Sequence, residues 1–141
     1  MTDEKIKPLN WTPDPDVGFN VARRPDGGMH ITIQEVSHRT LELWRKFSLE
    51  HLYDSDRLTT NLYDLSELKS LPEEAIQYAV EVNNDPAARN IRLAAVAQNE
   101  TVREALRKIA GLSAGGGVEM GLFWTVEEAE AWLSRPLTLL A

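Results

Sequence analysis

The stretch from Thr59 to Val80, TTNLYDLSELKSLPEEAIQYAV, constrains the fold more than any other part of the chain, because it reads as a strand that delivers the backbone onto the start of a helix. Thr59, Leu62, Tyr63 and Leu65 suit a buried strand, and Asp64 stands near its carboxyl end. Ser70-Leu71-Pro72-Glu73 then supplies an N-cap, a first-turn proline and a capping-box glutamate. Open α/β sheets place their working surfaces at such junctions. The predicted helix runs from about Leu71 to Asn84, with Ala75, Ile76, Ala79 and Val80 inward and Asn83-Asn84-Asp85-Pro86 as its stop.

The flanking segments repeat this alternation. Residues 1–16 carry Pro8, Pro13 and Pro15 among charged side chains and read as an extended arm, with Trp11 as its hydrophobic anchor. Val17 to Arg24 and Met29 to Glu35 form a predicted hairpin about Pro25-Asp26-Gly27-Gly28, with His30 on the polar face of its second strand. Ser37 caps an amphipathic helix in which Leu41, Trp44, Phe47 or Ser48, and Leu52 recur at helical spacing. Ile91 to Ala97, IRLAAVA, is a nearly continuous apolar run of the kind found near the centre of a covered sheet. Asn99 caps a third helix whose Arg103, Glu104, Arg107 and Lys108 are assigned to solvent, and GLSAGGG (Gly111 to Gly117) ends it. That glycine run follows a helix and precedes a strand, so its amides do not form a phosphate cradle. Val118 to Trp124 alternates as a last strand, and Thr125-Val126-Glu127-Glu128 opens a final helix that Arg135-Pro136 closes. The expected architecture is α/β: one mixed, mostly parallel sheet of about five strands, with an N-terminal antiparallel hairpin and four helices.

Composition narrows the function. The 141 residues suit one domain able to bury roughly two thirds of its unfolded surface. Absence of cysteine removes thiol catalysis, thiolate metal sites and disulfides, and fits a cytoplasmic location. With 15 Lys+Arg against 22 Asp+Glu, and the basic residues scattered, the net charge of −7 argues against nucleic acid and for a protein partner. No apolar stretch approaches the roughly 20 residues that cross a bilayer, and the start of the chain lacks the pattern of a secretory signal. Asp14-Pro15-Asp16 reads as a turn, and His38 and His51 lie too far apart on one helix to share a metal. No metal or cofactor is expected.

The residues TTNLYDLSEL (Thr59 to Leu68), IRLAAVA and MGLFWTVEEAEAWL (Met120 to Leu133) resemble the central strand, the next strand and the closing strand and helix of the STAS fold, in its SpoIIAA-like, STAS/SEC14-like branch. The resemblance spans roughly residues 17–136 and leaves 137–141 as an apolar tail that either covers a core edge or meets a second subunit in a homodimer. It implies a non-enzymatic bacterial regulatory module that binds a partner kinase and is switched by a phosphorylated serine at the start of the helix after the central strand. That position falls at Ser70 or Leu71, and Lys69-Ser70-Leu71-Pro72 stands where the family carries Asp-Ser-Ser-Gly. A phosphate on Ser70 would gain from the helix dipole.

Three functional readings follow. The first is a protein-interaction module working through Asp64, Ser66, Glu67, Lys69, Ser70, Glu73 and Glu74. The second, implied by the SEC14-like label, is a carrier of a lipid or apolar ligand, with Trp44, Phe47, Leu112, Met120, Phe123 and Trp124 lining a pocket beneath the first helix and the glycine run. The third is an enzyme using Asp64 or Glu67 as general base. It ranks last, since no second ionisable group recurs at a matching position, and no catalytic residue is assigned.

Overall fold

The computed structural model describes residues 10–11, 18–24, 28–52, 59–86, 91–113 and 117–135. Five strands of five or six residues, β2 (Phe19–Arg23), β3 (Met29–Ile33), β4 (Thr59–Asp64), β5 (Ile91–Val96) and β6 (Val118–Phe123), follow a two-residue strand β1 (Asn10–Trp11). The helices are α1 (His38–Leu52), α2 (Glu73–Asn83), α3 (Glu100–Leu112) and α4 (Val126–Leu133). The sheet order is β1-β2-β3-β4-β5-β6, antiparallel through β3 and parallel from β3 to β6. This is the mixed α/β sheet, hairpin and four helices that the sequence implies. It adds β1, which lies inside the expected arm and pairs with Ala22 and Val21 of β2.

Because each parallel step moves to the next strand in sequence, right-handed crossovers stack α1, α2 and α3 side by side on one face. Alternate side chains of each strand then go to opposite faces. Phe19, Met29, Ile31, Ile33, Ile91 and Ala95 meet the three-helix layer in the larger core. Leu62, Ala94 and Val96 meet Ala129 and Leu133 of α4 in a smaller core behind. Ala94 and Ala129, each fully buried, let α4 settle close to the sheet.

Several local expectations hold. Ser37 Oγ accepts the Thr40 N–H at the start of α1, Asn99 Oδ1 accepts the N–H groups of Thr101 and Val102, and Thr125 Oγ1 accepts that of Glu128. The start of α2 differs. Its N-cap is Pro72, with no side-chain cap bond, and the Pro72 carbonyl accepts from Ala75 and Ile76. A residue before proline is driven out of the helical region, so the helix cannot reach back through Leu71 to Ser70. Ser70 is exposed and is not a cap.

The end of α3 also differs. It runs through Gly111 to Leu112 and is closed by Ser113, whose Oγ–H donates to the Ile109 carbonyl at 2.6 Å. Ala114 to Gly116, the Pro25–Gly27 turn, Asp14–Asp16 and the apolar tail lie outside the described residues, as do the side chains of Trp11 and His51. No described helix is long and apolar enough to cross a membrane.

Arg103, assigned to solvent from its neighbours, is buried. Its guanidinium donates to the carbonyls of Ala97 and Phe123 at 2.8 and 3.1 Å and stacks 3.5 Å from the Trp124 ring centroid. An arginine in the first turn of α3 can reach the carboxyl ends of β5 and β6, where chain-end carbonyls need donors.

Replacing a cap leaves a helix-end amide without its acceptor, whereas replacing an exposed serine outside the helix does not. Asn99→Ala should therefore cost about 1 kcal/mol in urea unfolding, and Ser70→Ala less than about 0.5 kcal/mol. Equal losses at the two positions would contradict the assigned start of α2.

Candidate functional site

The segment between β4 and α2 places leucine at every third position, and Leu65, Leu68 and Leu71 turn inward while the residues between them turn out. Leu65 and Leu68 are buried, and Leu71 packs against the same core. Glu67, Lys69, Ser70 and Glu73 are consequently exposed, with Asp64, Ser66 and Glu74 half-buried. Asp64 Oδ1 accepts from the Ser66 backbone at 3.0 Å and from its hydroxyl at 2.6 Å. That carboxylate closes the turn leaving β4 and is committed to local structure.

Glu74 belongs to a different group. It pairs with His38 on α1, and Glu42 adds a second carboxylate 3.1 Å from the ring. Further along, Arg45 of α1 pairs with Glu81 of α2 and stacks on Tyr78. These contacts bolt α1 to α2 at the surface, above a cavity between those helices and the sheet.

The cavity has a volume of about 110 Å³ and is partly open to solvent. Ile31, Ile91 and Ala95 contribute to its sheet side, Trp44 and Phe47 come from α1, and Ala75 and Ala79 come from α2. The alanines explain the space: two on one helix and one on β5 stand where leucine would fill the volume. At about 24 cal/mol per Å³, such a void costs the fold on the order of 2–3 kcal/mol if left empty. Its wall is predominantly apolar and, among the described residues, contains no Asp, Glu, Lys, Arg or His.

A few polar atoms converge there. Trp44 Nε1–H donates to Tyr63 Oη at 3.0 Å, with the two rings edge to face at 6.2 Å. Burial pushes the Tyr63 phenol up, against the opposing influence of Trp44 and of the neighbouring Ser48 hydroxyl. On the other side Asn83, buried, donates to Ser113 Oγ at 3.2 Å and lies 3.5 Å from Met120 Sδ. Asn83 thus belongs to the core, although its sequence neighbours mark only a helix stop. The signal available was an asparagine one turn beyond Ala79, on the inward face of α2.

Of the residues assigned by sequence to an apolar site, the fold brings Trp44, Phe47 and Met120 into this cavity. Leu112 and Trp124 are exposed, at 56% and 49%, and Phe123 points to the opposite face, 5.2 Å from Trp132. The pocket lies beneath α1, α2 and α3, and Ala114–Gly116 of the glycine run lie outside the described residues. Among the described residues no three His, Asp or Glu side chains converge as a metal site would require. Comparison of the chain with protein-family models, with curated proteins and with solved structures gives no match in any of the three.

The His38 pairing has a pH signature. A hydrogen bond to Glu74, then the charges of Glu42 and Glu74, hold His38 above its ordinary value of 6.5. A histidine raised in the folded state contributes fully below its unfolded pKa and loses that contribution as pH climbs through the folded one. Glu74→Gln should move the His38 midpoint, read by NMR titration of the ring proton, down towards 6.5 and flatten the fall of stability above that pH. A midpoint that does not move would show that Glu74 is not the partner.

Proposed function

We propose that this protein binds a small apolar molecule in the cavity between β3–β6 and the three-helix layer. The observation that carries the reading is a void of about 110 Å³ with a mainly apolar wall, bounded by alanines and braced by Trp44 and Phe47. Apolar cavities of about 150 Å³ stay dry and take up benzene or xenon, so a single ring or a short alkyl chain is the matching size. A whole phospholipid is not, which narrows the carrier suggested by the SEC14-like resemblance. Binding gains the dispersion contacts that the facing walls lack.

Filling the space tests this. Benzene should raise the melting temperature of the native protein, by the equivalent of about 2.7 kcal/mol at a hundredfold excess over Kd. Ala79→Leu should abolish the shift without lowering the melting temperature of the free protein. A protein indifferent to benzene would defeat the reading.

A second reading, the interaction module of STAS type, is favoured by one observation: Ser70 is exposed beside Lys69 and Glu73 and has no capping role to lose. A phosphate could be added there without dismantling the helix start, within reach of the α2 dipole. Affinity capture from cells with wild type and Ser70→Asp should retain different partners. Identical partner sets would remove the switch.

A further inference from the structure

Ser48 is the odd residue in the cavity wall. It projects from α1 one turn after Trp44, is only 7% exposed, and its Oγ has no hydrogen-bond partner among the described residues. A serine in a helix commonly turns its hydroxyl back to a carbonyl in the preceding turn; Ser113, buried at the end of α3, and Ser134, exposed at the end of α4, do so here. Ser48 does not. It stands beside Tyr63, close enough to influence the phenol but off hydrogen-bond geometry.

Tyr63 is in a complementary state. Its oxygen already accepts from Trp44 Nε1, so its own hydrogen is left to donate. Two hydroxyls, Ser48 and Tyr63, thus stand side by side on one wall of a mainly apolar space whose other polar side chains are Asn61 and Asn83. An unpaired buried hydroxyl is costly, and the cost is relieved by a partner oxygen that both can reach.

From this juxtaposition we infer that the ligand is a neutral, single-ring-sized molecule with one hydroxyl group, a phenol or small alcohol, bound with its oxygen between Ser48 and Tyr63. The inference rests on the cavity reading above and adds the head group. An anion or cation is disfavoured because, among the described residues, the wall carries no ionisable side chain other than Tyr63, and a charge moved there would forfeit hydration without compensation.

The test compares benzene, phenol and benzoate on wild type and Ser48→Ala by calorimetry or NMR titration at neutral pH. Phenol should bind wild type at least as tightly as benzene, and Ser48→Ala should lower the phenol-to-benzene affinity ratio about tenfold, the loss expected when a buried hydroxyl is left unpaired. Benzoate should not bind. If neither benzene nor phenol binds wild type, the cavity reading itself fails. If benzene binds and phenol does not, if the ratio is unchanged in Ser48→Ala, or if benzoate matches phenol, the cavity reading stands and the assigned head group is overturned. Should Ser48→Ala lose benzene as well, Tyr63→Phe makes the same comparison, and an undiminished phenol ratio there overturns the assignment.

Discussion

The pairing of β4 with a parallel neighbour on each side is the constraint from which the rest of the molecule follows. A parallel neighbour cannot be reached by a tight turn, so the chain must cross back over the sheet, and a helix is the economical way to do so with its backbone groups satisfied. Three such returns in one direction give three adjacent helices on one face. The opposite face is left to α4, which has only eight residues. The two cores are therefore unequal, and the larger one is where space remains.

That asymmetry decides what alanine does in each core. Against α4, Ala94 faces Ala129 and the result is close contact. Against α2, Ala95 faces a layer that also presents Ala75 and Ala79, and the larger residues around them, Trp44 and Phe47 among them, hold the walls apart. A sheet residue and its immediate neighbour along β5 thus serve opposite ends. The surface pairs His38–Glu74 and Arg45–Glu81 lie across the α1–α2 seam above the void, where they hold the roof in register more than they add stability, since exposed ion pairs are individually weak.

The buried arginines show a second principle. Arg24 reaches Thr60 and Glu130, Arg92 reaches Glu119 and the carbonyls of Trp132 and Arg135, and Arg103 reaches the ends of β5 and β6. Each joins elements far apart in the chain through a planar group with several donors. Arg92 sits within an apolar strand and Arg103 among charged neighbours, so the first was hidden by its context and the second was misassigned because of it. Glu119 and Glu130 could not be paired with them by spacing, because the partners lie on other strands and helices.

What was legible in the chain was periodic. Alternation along Met29–Ile33, the continuous run Ile91–Val96 and the capping residues Ser37, Asn99 and Thr125 act within a few residues of themselves, and local sterics and hydrogen bonding suffice to read them. Fold class followed, because alternating strand and helix periods leave few topologies. Ser70 was misread for an equally local reason: the constraint that Pro72 places on Leu71 outweighs the cap that serine could have offered. The cavity was not legible. Trp44, Phe47 and Met120 were visible as large apolar residues, but so were Leu112, Phe123 and Trp124, and nothing in their spacing separates a lining residue from an exposed or rear-facing one. A void is a deficit of volume where four elements meet, and only the packed arrangement of α1, α2 and α3 over the sheet fixes where side chains fall short of filling the space between them.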